Sequence, residues 1–155
     1  MSNKDKPAAE RQFDRYLASY QKLSVFLLIP ILLSAFSCVM KAIVANYTLS
    51  IAMGYVLFVR QIIGEEAVWT ILMGLLPLVV YVPLAFFAAK GKLWCLYVGL
   101  GIYAADFVFS FFLATPDVVT RVLQIVLHVL FLAMGCVAVF FYYRAASLLK
   151  SVRRR

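Results

Sequence analysis

The sequence predicts an all-α integral membrane protein with four transmembrane helices and an additional outer helix between the first and the second. Of the 155 residues, 65% are hydrophobic and only 14% are charged, which is more apolar surface than a soluble domain of this length can bury. The chain has room for about four stretches of ~20 residues, each long enough to cross a ~30 Å hydrocarbon core. It leaves no room for a separate soluble domain, so we expect a single helical-bundle domain.

The basic residues predict the orientation in the membrane. Twelve of the fifteen Lys and Arg fall at the N-terminus, at the C-terminus, or in the loop with Lys90 and Lys92. With four spans these three segments share one side, which the positive-inside rule makes cytoplasmic. We therefore expect both termini in the cytoplasm and place the protein in the cell (plasma) membrane.

The net charge is +8, but most of the basic residues lie at the predicted ends of the membrane spans, so nucleic acid is not the expected partner. The expected partner is the lipid bilayer, with anionic lipid drawn to the basic tail, which ends in Arg153, Arg154 and Arg155.

Residues 1–22 form the first predicted element, a cytoplasmic interfacial arm. Four apolar or aromatic residues recur there at helical spacing: Phe13, Tyr16, Leu17 and Tyr20. With charged residues around them, this pattern is typical of an amphipathic helix at a membrane surface. A helix that binds a partner protein is the functional alternative.

Span 1 covers residues 23–44, and Pro30 is expected to bend it. Residues 47–66 are harder to assign, because the apolar run within them is too short to cross the hydrocarbon core. A fifth crossing would also place the basic tail opposite the basic arm. We interpret residues 47–66 as an outer interfacial or re-entrant helix, with Gly54 and Gln61 on its weakly polar side.

Three further spans and a basic cytoplasmic tail complete the prediction: residues 67–89, 93–113, 118–143 and 144–155. The second span contains Pro77 and Pro83, and two prolines argue against a straight helix.

Two ionisable residues lie deep in the last two spans: Asp106 and His128, the only histidine. Counted from the connecting turn, their depths differ by about one helical turn. Both lie on a stripe of small and polar residues, which marks the side of a membrane helix that faces other helices. An ionisable group in hydrocarbon costs roughly 3 kcal/mol or more, so we expect the two side chains to turn inward and contact each other. The opposite sides, including Phe107 and Val126, are expected to face lipid.

The candidate binding site, for a proton, an ion or a polar substrate, consists of the pair and three neighbours: Asp106, His128, Tyr103, Gln124 and Arg121. A carboxylate and an imidazole in contact can relay a proton or coordinate a cation. The structural alternative is an interhelical hydrogen bond that fixes the register of the two helices.

The sequence contains no P-loop, GxSxG, HExxH or dinucleotide-binding glycine motif. The three cysteines, Cys38, Cys95 and Cys136, form no CxxC pair, and with a single histidine they do not make a standard zinc site. Neither a cofactor nor a metal is therefore predicted.

Two classes of function remain. The first is an oligomeric transporter or channel-like protein that uses the Asp/His pair, with the pair facing a cavity or a symmetry axis. The second is a non-catalytic accessory or scaffold subunit of a larger membrane complex, with the pair fully hydrogen-bonded and dry. The partner is accordingly a second copy of the chain or another membrane subunit. An intramembrane lipid-modifying enzyme is a weaker third hypothesis, because no nucleophile is clearly spaced to reach His128.

Overall fold

The structure is a computed structural model that describes residues 7–26, 28–44, 54, 58, 62, 67–112 and 118–153. Within them lie five helices of more than one turn: α1 Ala8–Phe26, α2 Leu28–Ile43, α3 Ala67–Ala89, α4 Leu93–Ser110 and α5 Val118–Arg153. The described residues contain no strand, and the predicted all-α class is confirmed.

Four segments of the described chain are long and apolar enough to cross a membrane: Ala8–Ile43, Val68–Ala89, Leu93–Ser110 and Arg121–Lys150. Their number agrees with the four predicted spans. Large apolar side chains such as Val68, Val79 and Phe86 are exposed on α3, as expected of a helix that has lipid on one side.

The helices extend beyond two of the predicted boundaries. Helix α1 continues through residue 23, where the arm was expected to give way to span 1, because the buried stripe with Tyr20 continues at Ser24 one turn later. Helix α5 continues past residue 143 to Arg153, and Ala145 is still buried there. Helix α4 ends at Ser110, three residues before the predicted end of its span at residue 113.

Most of the predicted outer helix, residues 47–66, lies outside the described residues. Of that segment, Gly54, Phe58 and Ile62 are described, and all three are helical. Gly54 is buried and Phe58 packs edge-to-face on Phe109 of α4, with 5.2 Å between the ring centroids.

The amphipathic N-terminal helix packs into the bundle. Its most extensive neighbour is α5, where Tyr16 stacks on Phe141 and Tyr20 packs against Tyr142. The Tyr20 hydroxyl also donates a 2.7 Å hydrogen bond to the carbonyl oxygen of Ala88, near the end of α3. The aromatic side of α1 is thus occupied by the protein's own helices.

Two apolar clusters form the core. One lies near the α3–α4 turn, and its buried members are Tyr20, Ala88, Cys95, Leu96 and Ala138. The other lies further along the bundle, and its buried members are Ile31, Cys38, Tyr81, Tyr103 and Phe131. Asp106 follows Tyr103 by three residues and His128 precedes Phe131 by three, so both lie about one helical turn beyond the second cluster.

Helix α3 is continuous through Pro77 and Pro83 and ends in a Schellman motif. The Lys92 N–H donates to the Phe87 carbonyl and the Gly91 N–H to the Ala88 carbonyl. Gly91 has φ +89°, a left-handed conformation in which the Cβ of any other residue would be strained. This turn joins α3 to α4 and sets the position of the Asp106 helix.

Candidate functional site

Asp106 and His128 are in contact. Oδ2 of Asp106 lies 3.4 Å from Nε2 of His128, at the long end of hydrogen-bond distances. The two residues are only 7% and 4% exposed, although they belong to different helices and are 22 residues apart in the chain. The geometry therefore brings together the two groups that the polar stripes predicted to meet.

The second ring nitrogen of His128 defines where protons can lie. Nδ1 is 2.8 Å from the carbonyl oxygen of Gln124, one turn earlier on α5. Because a carbonyl oxygen can only accept, Nδ1 must carry a hydrogen. A proton between Nε2 and Oδ2 can lie on either atom, because an imidazole nitrogen and a carboxyl oxygen both bind protons.

Two aromatic rings of α4 hold the imidazole in this orientation. The ring of Tyr103 is 4.7 Å from the His128 ring, with an angle of 12° between their planes. The ring of Phe107 is 5.0 Å away at 19°. Phe107 was expected on the side that can face lipid, and it is half-buried with its ring stacked on His128. As the residue after Asp106 it is turned by about 100°, which still lets a long side chain reach the neighbouring helix.

The third contact of the site comes from the segment between α2 and α3. The backbone N–H of Gly54 donates a 2.9 Å hydrogen bond to Oδ2 of Asp106, the same oxygen that faces His128. A Cβ at position 54 would lie only 3.0 Å from the Asp106 carbonyl oxygen and 3.0 Å from Cβ of Ser110. The absence of a side chain at Gly54 is what permits this close approach.

The remaining predicted site residues have different positions. Tyr103 is buried against His128, and Gln124 is buried and provides its backbone carbonyl to the ring. Arg121 is exposed and lies seven residues, or about two turns, before His128 on α5. Arg121 therefore lies near the N-terminal end of α5, away from the aromatic rings that contact His128.

An open groove reaches Asp106 of the pair from the side. It has a volume of about 520 Å³ between α3 and α4, and Tyr81 and Asp106 are its polar lining residues. The rest of the described lining is apolar: Leu76, Pro77, Val80, Ile102, Ala105 and Phe109. The Tyr81 hydroxyl is buried and has no hydrogen-bond partner within the described part of the chain. A hydroxyl without a partner and the carboxyl of Asp106, which both line this apolar groove, suit a ligand that carries a hydrogen-bonding group, or water.

Sequence reasoning did not include Gly54, Phe107 and Tyr81 in the site. Gly54 was on the predicted weakly polar side of its segment, which is a signal that could have added it. Phe107 had no such signal. Among the described residues no group of three or more His, Cys, Asp or Glu could hold a metal ion.

Comparisons with known protein families, with characterised proteins and with solved structures find no match to this chain.

Proposed function

We propose that this chain is a small membrane transport protein that moves protons across the bilayer through the Asp106–His128 pair. The observation that supports this most is the 3.4 Å contact between Nε2 of His128 and Oδ2 of Asp106, in a pair that is almost fully buried among apolar helices. Ionisable groups at such a place are costly, and membrane proteins commonly use them as proton relays. A modest shortening of the 3.4 Å contact would suffice for transfer.

The groove between α3 and α4 supports a route to the pair. Asp106 lines it, and the orphaned Tyr81 hydroxyl could donate to water or accept from it beside the carboxylate. Four helices leave little room for a water-filled path within one protomer. We therefore propose a homo-oligomer in which the groove meets a second copy of the chain, so that the path is completed between protomers.

Proton flux in liposomes tests the proposal. The purified protein is reconstituted with a pH-sensitive dye inside, and a potassium diffusion potential is applied to drive protons inward. We expect the wild type to acidify the interior faster than protein-free liposomes do. Asp106→Asn keeps the size of the side chain but cannot exchange a proton, so we expect a loss of flux of about 10²-fold or more, the usual contribution of a positioned acid–base group.

Gly101→Ala is the matched control, because it lies on the same helix and an added Cβ meets nothing within 4 Å. It should keep wild-type flux. A wild type no faster than empty liposomes, or an Asp106→Asn variant as fast as the wild type, would rule out proton transport through this pair.

The accessory or scaffold subunit is the second candidate. It is favoured by the closed geometry of His128, whose two ring nitrogens both contact oxygen atoms of the protein and which is only 4% exposed. This candidate predicts a pair that serves helix register only. If Asp106→Asn loses proton flux but keeps the thermal stability of the wild type, the scaffold function is contradicted. If the wild type shows no proton flux and Asp106→Asn is less stable than the wild type, the scaffold function is favoured.

We further propose that the chain is inserted in the cell membrane with both termini in the cytoplasm and with residues 47–66 as an outer interfacial or re-entrant helix. The basic tail would then lie against anionic lipid. Single cysteines in a cysteine-free background test the orientation at four positions: Ser2, Lys92, Thr115 and Ser151. We expect a membrane-impermeant thiol reagent to label Thr115 from outside and the other three from inside only. Labelling of Ser2 and Ser151 from opposite sides would mean that residues 47–66 cross the bilayer.

A further inference from the structure

A second groove lies between α1, α2 and the C-terminal end of α3. It has a volume of about 680 Å³ and is open along one side. Its polar rim is formed by Gln21 and Lys22 of α1 and by Lys90 just after α3. Its walls include Val25, Leu32 and Phe86, all exposed apolar side chains.

The two lysines are brought together by the fold. The hydrogen bond from the Tyr20 hydroxyl to the Ala88 carbonyl joins α1 to the end of α3, and Lys22 and Lys90 each follow two residues later. Lys90 is further positioned by its ammonium group, which lies 4.2 Å from the centroid of the Phe86 ring. None of the described residues that line the groove is acidic, so the rim has an uncompensated positive charge.

The dimensions of the groove match one leaflet of a bilayer. Lys22 and Leu32 are ten residues apart, which corresponds to about 15 Å at ~1.5 Å per residue. This is half of a ~30 Å hydrocarbon core. Lysines at the edge of the hydrocarbon core can bind a lipid headgroup, and the apolar walls that continue into the core can contact its acyl chain.

We infer that this groove is a binding site for an anionic phospholipid, with the phosphate between Lys22 and Lys90 and an acyl chain along Val25 and Leu32. The site goes beyond the proton transport proposed above and does not depend on it. It is also separate from the diffuse attraction of lipid to the basic tail, because it combines fixed charges with a shaped apolar wall. The charge of the rim selects an anionic headgroup over a zwitterionic one.

Native mass spectrometry of the detergent-purified protein tests the site. Phosphatidylglycerol and phosphatidylcholine with identical acyl chains are added at equal concentration, and the bound fractions are compared. We expect the wild type to prefer phosphatidylglycerol. The Lys22→Gln/Lys90→Gln double variant should lose about 25-fold in affinity for it, or about fivefold per lysine, the factor that corresponds to ~1 kcal/mol for each basic residue. Phosphatidylcholine binding should fall much less, because the choline group already cancels the charge of its phosphate.

Two matched controls separate this site from general effects of charge and surface. Lys150→Gln removes an exposed lysine of α5 that does not line the groove, and it should keep the preference. Leu32→Trp should fill the groove and weaken both lipids several-fold. Leu130 is 51% exposed and Leu32 is 53% exposed, but Leu130 does not line the groove, so Leu130→Trp should weaken the binding of neither lipid.

A preference that survives in the double lysine variant, or that Lys150→Gln abolishes equally, would overturn the assignment. Displacement of the lipid by soluble glycerol phosphate would identify a simple anion site and would overturn it as well. Circular dichroism of each variant establishes that the helices are intact, so that a loss of binding cannot be ascribed to unfolding.

Discussion

The backbone N–H of Gly54 donates to Oδ2 of Asp106 at 2.9 Å, although 52 residues separate the two in the chain. The segment between α2 and α3 thereby contributes a hydrogen-bond donor to a carboxylate that also faces His128. Asp106 consequently connects three parts of the chain: its own helix, α5 and this intervening segment.

Gly54→Ala tests that connection. The added Cβ would lie 3.0 Å from the Asp106 carbonyl oxygen, so the segment must move away and the hydrogen bond to Oδ2 must lengthen. A hydrogen bond contributes about 0.5–1.5 kcal/mol, or about 1.5–3 kcal/mol when its acceptor is charged, and we expect a destabilisation of about 0.5–3 kcal/mol. The measurement is the free energy of unfolding in mild detergent.

The same substitution in an Asp106→Ala background should cost clearly less. The carboxylate is then absent, and only the steric contacts with the backbone of Asp106 and with Ser110 remain. Equal costs in the two backgrounds would mean that the hydrogen bond contributes nothing to stability.

The contact between Asp106 and His128 is expected to be energetically coupled. Asp106→Leu leaves Nε2 of a buried imidazole without its partner, and His128→Phe leaves the buried Asp106 carboxyl with the Gly54 N–H but without its contact to Nε2. The double variant contains neither the imidazole nor the carboxyl, and the phenyl ring that replaces the imidazole can still stack on Tyr103 and Phe107. The Gly54 N–H loses its acceptor both in Asp106→Leu and in the double variant, so this loss cancels in the cycle. We therefore expect a double-mutant cycle to give a coupling of about 1–2 kcal/mol, toward the upper end of interhelical hydrogen bonds in membranes. Additive effects of the two substitutions would contradict the coupling.

The turn between α3 and α4 yields a pair of opposite predictions. Gly91→Ala forces an L-residue into φ +89° and should destabilise the protein by about 1 kcal/mol. Gly101→Ala, in the middle of α4 and with nothing within 4 Å of the new Cβ, should stabilise it by about 0.5–1 kcal/mol. Thermal unfolding followed by circular dichroism in detergent compares them. A Gly91→Ala variant as stable as Gly101→Ala would show that the turn does not keep this conformation.

Tyr20→Phe examines how α1 is attached to the bundle. It removes the buried 2.7 Å hydrogen bond to the Ala88 carbonyl, while that carbonyl keeps the bond from the Gly91 N–H. We expect a loss of about 0.5–1.5 kcal/mol. Tyr143→Phe is the control, since its hydroxyl pairs with Tyr97 at an exposed position, and it should change stability by less than ~0.5 kcal/mol. A larger loss for Tyr143→Phe than for Tyr20→Phe would contradict this attachment.

The all-α class and the four long apolar helices could be derived from the sequence alone. Helix length and apolar composition are local properties, and in a lipid environment they leave few alternatives for the backbone. The inward position of Asp106 and His128 could be derived in the same way, because helical periodicity places each on the polar side of its own helix. Their similar depth followed from counting residues from the turn between them.

The contacts between distant segments could not be derived in this way. Nothing local in the sequence states that Gly54 approaches Asp106, or that Tyr20 reaches Ala88, because these depend on which helices become neighbours and at what distance. Phe107 illustrates the same limit: periodicity placed it with the lipid-facing residues, whereas the closeness of α5 allows its ring to stack on His128. Only the packing of the helices decides whether a side chain at the edge of a stripe meets lipid or protein, because a rotation of a few tens of degrees separates the two outcomes.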